Sequence, residues 1–225
     1  MVSRKQKQSS GETLRYALIG AGSNARGHAE ALQHVEGVEV VAFCDPQEAS
    51  RYAMREQFGE TRPREYSEHR RMLEDNELDA VIISTPNDTH APLTSDALDA
   101  GVHVLQEKPL ASRLDDCQAL VNKVQESKTI FQVGFELRYL PIWKRVHQLI
   151  REGHIGTVRQ LWCKEFRGPW RQKVNNWIIQ QQRSGGALAE KDCHHFDLFH
   201  WFVESQPMRV TGFGTCDLVY GEEYF

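Results

Sequence analysis

Glu190, His194 and Asp197 lie four and three residues apart, a spacing that sets all three along one face of an α-helix. A carboxylate one turn from an imidazole can orient the ring and tune its charge, which is equipment for general acid–base work. The plainer alternative is a half-buried helix carrying surface ion pairs. His195 points ~100° away and His200 lies beyond the i+4 neighbour, so neither belongs to the same cluster. Lys108, in Gln106-Glu107-Lys108-Pro109-Leu110, ends a short apolar run. A lysine that loses hydration at the end of a buried strand has its pKa lowered toward the range useful for proton transfer. The plainer alternative is a strand-end lysine reaching solvent. Cys193, His194, His195, Asp197 and His200 could all bind metal, but C-H-H-x-x-D lacks the spacing of a tetrahedral site. No metal is expected.

A second group of residues points to a nucleotide. Gly20-Ala21-Gly22-Ser23-Asn24-Ala25 follows an apolar run and opens a helical stretch. In such a turn Gly20 makes the bend, Gly22 lets backbone approach a pyrophosphate, and the small Ala25 lets helix and strand pack closely. The pyrophosphate would sit on the helix N-terminus, near Ser23 and Asn24. Asp45, 20 residues after Ala25, falls where a carboxylate accepts hydrogen bonds from ribose hydroxyls and repels a 2′-phosphate. NAD is therefore expected, with NADP kept as the alternative by Arg51. The competing role for Asp45 is a helix cap before Pro46.

These residues need a scaffold, and the hydrophobic pattern supplies one. Apolar runs at Arg15–Gly20, Val38–Cys44, Asp79–Ser84, Val102–Leu105 and Thr129–Gly134 predict strands buried on both faces. Helices are predicted between them at Asn24–Val35, Gln47–Phe58, Ser67–Asn76, His90–Ala100 and Leu114–Ser127. The fold class is α/β: an N-terminal Rossmann doubly wound parallel sheet over 13–135. Ligands bind at the C-terminal edge of such a sheet. Thr85, Pro86, Asn87, His90, Glu107 and Lys108 are accordingly the further cofactor-binding candidates. After residue 135 the texture changes. Leu140–Arg151 reads as a helix, Thr157–Arg167 as a strand, Gly168–Gly186 as irregular, Ala187–Val203 as a helix and Met208–Val219 as a strand. This is the start of an α+β domain over 136–225, with residues 1–12 a flexible tail.

Composition excludes other classes. At about 150 residues per domain, 225 residues give one and a half domains. A net charge of −4 leaves no basic field for nucleic acid, and no apolar run reaches the ~18 residues of a membrane span. The five cysteines are odd in number, dispersed and without a C-x-x-C pair, so a reducing cytoplasm is expected.

Gly20–Leu32 (GAGSNARGHAEAL), Ser84–Ala111 (STPNDTHAPLTSDALDAGVHVLQEKPLA) and Gly134–Pro141 (GFELRYLP) together resemble the Gfo/Idh/MocA family of oxidoreductases. The resemblance runs from about Leu14 to at least Trp201. It implies an NAD(P)-binding Rossmann domain followed by an open-sheet α+β domain backing the substrate. It also implies that Lys108 takes part in substrate binding and proton transfer, ahead of a cis Pro109. The family's signature resembling G-G-x-L-x-D-x-G-x-H-x-x-D meets Gly185–Asp197 here, with His194 on the general acid/base and Asp197 on the trailing aspartate. Glu190 replaces an aspartate, and Lys191-Asp192 replace an apolar residue and a glycine. Lys191, facing a cleft, would favour an anionic substrate. Phe135, Arg138, Tyr139 and Trp177 suit a sugar site and equally suit a core. Members of the family are considerably longer, so the second domain is expected to be incomplete, and a homo-oligomer is expected only if it is complete.

The function expected is hydride transfer between nicotinamide and a secondary alcohol or ketone of a sugar or polyol. Lys108, His194 and Glu190 would be catalytic; Lys108, Arg138, Trp177, Lys191 and His194 would bind substrate. Two rivals stand beside it: glycoside cleavage through transient sugar oxidation, and a non-catalytic NAD(P)-sensing regulator.

Overall fold

The computed structural model describes residues 13–166 and 172–214. The expected tail, Trp170, Cys216 and the end of the last expected strand lie outside them. The chain divides into two compact units. The first comprises the residues up to Thr85 with Thr89–Glu107 and Gln118–Gln132, and the second Pro86–Asp88, Lys108–Cys117 and everything from Val133.

Strands β1 (Leu14–Ile19), β2 (Val38–Cys44), β3 (Arg64–Tyr66), β4 (Ala80–Ile83), β5 (His103–Glu107) and β6 (Phe131–Gly134) form one sheet, ordered β3-β2-β1-β4-β5-β6, which belongs to the first unit up to Gln132. β1 pairs in parallel with β2 and β4, β2 with β3, and β4 with β5. Strand order reverses between β1 and β4, which is where doubly wound sheets open a ligand crevice at their C-terminal ends. The helices are α1 (Ser23–Leu32), α2 (Glu48–Phe58), α3 (His69–Asp75), α4 (His90–Asp99) and α5 (Leu114–Glu126).

The sequence pattern explains the core. All four residues of β4 are buried, as a central strand covered on both faces requires. Ala25 and Ala29, one turn apart on α1, bury against Leu18, Phe43, Met54, Phe58 and Ile82. The Phe43 and Phe58 rings stack with centroids 6.1 Å apart. Only small side chains at 25 and 29 let α1 lie close on the sheet, so the third position of the glycine turn is a packing position. Beneath α4, Thr94 donates to Gln106 Oε1 at 2.7 Å, and Gln106 Nε2 lies 3.4 Å from His90 Nδ1. All three residues are fully buried, so their polar atoms must pair with one another.

The five expected strands appear, and a sixth, β3, is added. It is three residues long and carries no apolar run, so periodicity gives no sign of it. Its pairing with β2 creates it: Phe43 faces Glu65 and Cys44 faces Tyr66.

The second unit contains α6 (Pro141–Arg151), α7 (Gln181–Ser184) and α8 (Cys193–Val203), with a 3₁₀ turn at Glu136–Tyr139 and a kinked 3₁₀ segment at Val174–Ile179, in which Asn175 and Asn176 are left-handed. Two expectations are corrected. Described residues 157–166 and 208–214 carry no strand. A strand exists only through its ladder, and β-branched composition without a paired neighbour does not create one. The helix expected over Ala187–Val203 is present and continuous, with a π turn, Leu188–Asp192, as its first part leading into α8.

Candidate functional site

In the first unit the nucleotide turn has the form its residues demand. Gly20 has φ +100°, and a Cβ there would lie 2.2 Å from the Ser84 carbonyl oxygen. Gly22 is the N-cap of α1, with no side chain capping the first turn, and a Cβ on it would meet nothing within 4 Å. The helix therefore presents its first amides behind a residue that fills no space, with Ser23 and Asn24 exposed beside it. This arrangement fits a pyrophosphate.

Asp45 does two jobs. Its Oδ2 accepts from Ala21 N at 2.9 Å and its Oδ1 from Gln47 N at 2.8 Å. Both contacts fix turns, the glycine turn and an Asx turn ahead of α2; the helix-cap role is not taken, since the N-cap of α2 is Gln47 and no side chain caps it. Each oxygen retains a second lone pair for a ribose hydroxyl. Asn24 Nδ2 donates to Ser84 Oγ at 3.4 Å, and Thr89 Oγ1 donates to Thr85 Oγ1 at 2.7 Å. His90 is wholly buried, with Nε2 3.0 Å from the Thr85 carbonyl, so it props the loop from inside. Glu107 lies 2.7 Å from His28 Nε2 across α1 and the end of β5. Sequence reasoning missed His28, because its partner is 79 residues away and no periodicity links them.

In the second unit, Asn87 Nδ2 donates to the Ser184 carbonyl at 2.8 Å and Arg183 Nε donates to Asp88 Oδ2 at 3.0 Å. Pro86 is half-buried beside them. Lys108 precedes a cis peptide to Pro109. Its Nζ donates to the Glu190 carbonyl at 2.7 Å and to the carboxylate of the same residue. A side chain donating to a main-chain carbonyl interrupts the regular helical ladder, which gives the π turn its local cause. Both side chains are largely buried, at 17% and 12% exposure.

His194 shares the buried face of α8 with Leu198 and Phe202. The carboxylate 3.5 Å from its Nδ1 belongs to Glu136 rather than to Glu190. The Phe135 ring meets the imidazole edge-on at 6.1 Å. The helical spacing of Glu190 and His194 thus suggested one partnership, and the π turn spends the Glu190 carboxylate on Lys108. Asp197 accepts both prongs of Arg138, at 2.6 Å each, and the guanidinium lies 5.6 Å from the Trp201 ring centroid. This fork pushes the Arg138 pKa up and fixes the side chain in place. Trp177 is half-buried in its 3₁₀ turn.

Lys191 turns to Glu165, 3.7 Å away. Glu165, Asp192 and His195 bring ligand atoms within 4.8 Å of one another, a grouping unanticipated from sequence, but the Lys191 ammonium already compensates Glu165.

Cys193 packs beside this cluster, its Sγ 3.7 Å from the Glu190 carbonyl. Burial pushes its thiol up to about 11, with the Lys108 charge opposing. At pH 8 only about one molecule in a thousand carries the thiolate. Iodoacetamide should therefore modify exposed Cys163 first, with Cys193 lagging strongly until the pH approaches 11. Equal labelling of the two at pH 8, read by peptide mass spectrometry, would contradict the half-buried placement of Cys193.

The model of the oxidoreductase family with an NAD-binding Rossmann fold, GFO_IDH_MocA, matches residues 14–135, and that of the GFO/IDH/MocA C-terminal domain matches 143–222.

The chain belongs to the Gfo/Idh/MocA oxidoreductase family.

Inositol 2-dehydrogenase of Rhizobium meliloti is 31% identical over 200 residues, covering 88% of this chain and 58% of that protein. Inositol 2-dehydrogenase of Salmonella paratyphi B is 28% identical over 200 residues, covering 88% and 57%. The crystal structure of myo-inositol 2-dehydrogenase from Lactobacillus plantarum superposes with a TM-score of 0.74 at 25% identity, over 87% of this chain and 58% of that one. The chain thus spans rather more than half the length of the relatives it matches. Among the described residues, no helix is long and apolar enough to cross a membrane.

Proposed function

We propose that this Gfo/Idh/MocA chain is the cofactor-binding and catalytic part of an NAD-dependent dehydrogenase that oxidises a secondary alcohol of a sugar or polyol. The observation carrying the reading is the Lys108–Glu190 pair. It is an ammonium on a carboxylate, largely buried, in the same unit as a buried imidazole. Such a set can pass a proton without drawing on bulk water.

NAD would be held in the first unit by the Gly20–Ala25 turn, the α1 N-terminus and Asp45, with Thr85 and Glu107 at the ends of β4 and β5. When bound it supplies a hydride acceptor, the one piece of chemistry that side chains lack. Lys108 Nζ donates to the substrate oxygen and is held for that purpose by Glu190. The His194 imidazole, backed by Glu136, takes up the hydroxyl proton as the carbonyl forms. Arg138, fixed by Asp197, presents a guanidinium to neighbouring hydroxyls, and Trp177 offers an aromatic face to the ring carbons. The relatives named inositol 2-dehydrogenase support a cyclic polyol as the substrate class.

Titration calorimetry with NAD+, followed by absorbance at the NADH band with inositols and hexoses, tests the reading. Tight NAD+ binding and polyol-dependent NADH formation are the expected results. Release of sugar from a glycoside without net NADH would favour the glycoside-cleaving alternative. NAD+ binding without turnover on any polyol would leave the regulator.

A further inference from the structure

We propose that Glu65 is a specificity-determining residue of the nucleotide site, holding Arg51 and Arg55 off a 2′-phosphate so that NAD is preferred to NADP. The inference rests on the nucleotide reading above.

A 2′-phosphate needs cations, and α2 offers two beside the end of β2. Both are already committed. Arg51 Nε donates to Glu65 Oε1 at 2.8 Å, while its Nη1 donates to the carbonyls of Asp45 at 2.9 Å and Pro46 at 3.2 Å. Arg55, one helical turn on, donates Nη1 to Glu65 Oε2 at 3.0 Å. Each oxygen of one carboxylate thus takes one guanidinium.

The arrangement is held by backbone as well as by charge. β3 pairs with β2 so that Glu65 faces Phe43, and Asp45 N donates to the Tyr66 carbonyl at 3.1 Å. Arg51 is only 16% exposed, so its pairing is better shielded from solvent than an ordinary surface bridge. Asp45 and Glu65 balance Arg51 and Arg55, and no surplus positive charge remains for a phosphate. Discrimination here comes from removing the attraction as well as from the repulsion by Asp45.

The test is calorimetric titration of NAD+ and NADP+ into the native protein, Glu65→Gln, and Glu65→Gln with Arg51→Gln. Releasing two guanidiniums toward the phosphate should lower the ratio of NADP+ to NAD+ dissociation constants about tenfold in Glu65→Gln. Adding Arg51→Gln should restore part of the native ratio, the share of the gain that Arg51 carries beside Arg55. An unchanged ratio in a Glu65→Gln protein that still binds NAD+ overturns the proposal, and so does an equal gain for both nucleotides. Should Glu65→Gln fail to fold, Arg51→Gln alone decides the matter. A committed guanidinium predicts NADP+ affinity within about twofold of native, and a tenfold loss would mean that Arg51 already serves the phosphate. Failure of the native protein to bind NAD+ at all is a different result, which removes the nucleotide reading itself.

Discussion

Replacing Lys108 by methionine should lower turnover about a hundred- to ten-thousand-fold, the range spanned by a lost general acid or base, with a far smaller loss of NAD+ affinity. The ammonium donates to both the carbonyl and the carboxylate of Glu190, so its position is set before substrate arrives. Methionine keeps an unbranched side chain of nearly the same length and removes the ammonium with its charge and protons. It also strands a carboxylate that is only 12% exposed, which should cost about 3 kcal/mol of stability. Two comparisons separate chemistry from structure. Glu190→Gln keeps an acceptor for Nζ without the charge, so turnover should fall less and its pH profile should shift. Lys108→Met combined with Glu190→Met removes both charges, so stability should recover in part while turnover stays low. A Lys108→Met protein turning over within about threefold of native would overturn the catalytic assignment, because a proton-transfer group contributes far more than that.

The distance between what the sequence announces and what the molecule does is measured by residues such as these. The glycine turn, Asp45 and the strand–helix alternation were legible because each is a local pattern set by backbone geometry or by burial on both faces. Lys108 and His194 could be named from their segments and the family resemblance, but their partners could not. Helical spacing alone makes Glu190 the companion of His194. The π turn, and a lysine 82 residues upstream, assign it elsewhere. Glu136 backs His194 from a 3₁₀ turn with no periodic signal. Glu65 sits on a three-residue strand that exists only because β2 is there to pair with it. Over the described residues 157–166 and 208–214 the expected strands are absent for the converse reason, since residue type states a preference and only a neighbour satisfies it. Long-range pairing, rather than propensity, is what the sequence conceals.

The same contrast gives the largest expected effect on stability, at two glycines separated by one residue. Gly20→Ala should unfold the nucleotide turn or cost on the order of 4 kcal/mol, by two routes that add. A residue with a side chain is strained at φ +100°, by roughly 1–3 kcal/mol. The new methyl would also sit 2.2 Å from the Ser84 carbonyl oxygen and 2.9 Å from its carbon. Those are backbone atoms of a loop tied to β1, where Ser84 N donates to the Ile19 carbonyl at 2.8 Å. They cannot swing aside as a flexible side chain would, so β1 and β4 must part. Gly22→Ala should behave differently. Its φ is −69° and a Cβ there meets nothing within 4 Å, so stability should fall by about 1 kcal/mol or less, the cost of a poorer N-cap. Its effect should appear in binding, because the methyl occupies the face where backbone must approach a pyrophosphate. NAD+ affinity should drop about tenfold or more, a loss of roughly 1.4 kcal/mol. Urea denaturation and NAD+ titration of the two variants together discriminate the roles. If Gly22→Ala bound NAD+ as tightly as the native chain while Gly20→Ala lost its fold, the turn would be structural only, and the cofactor would have to be held elsewhere.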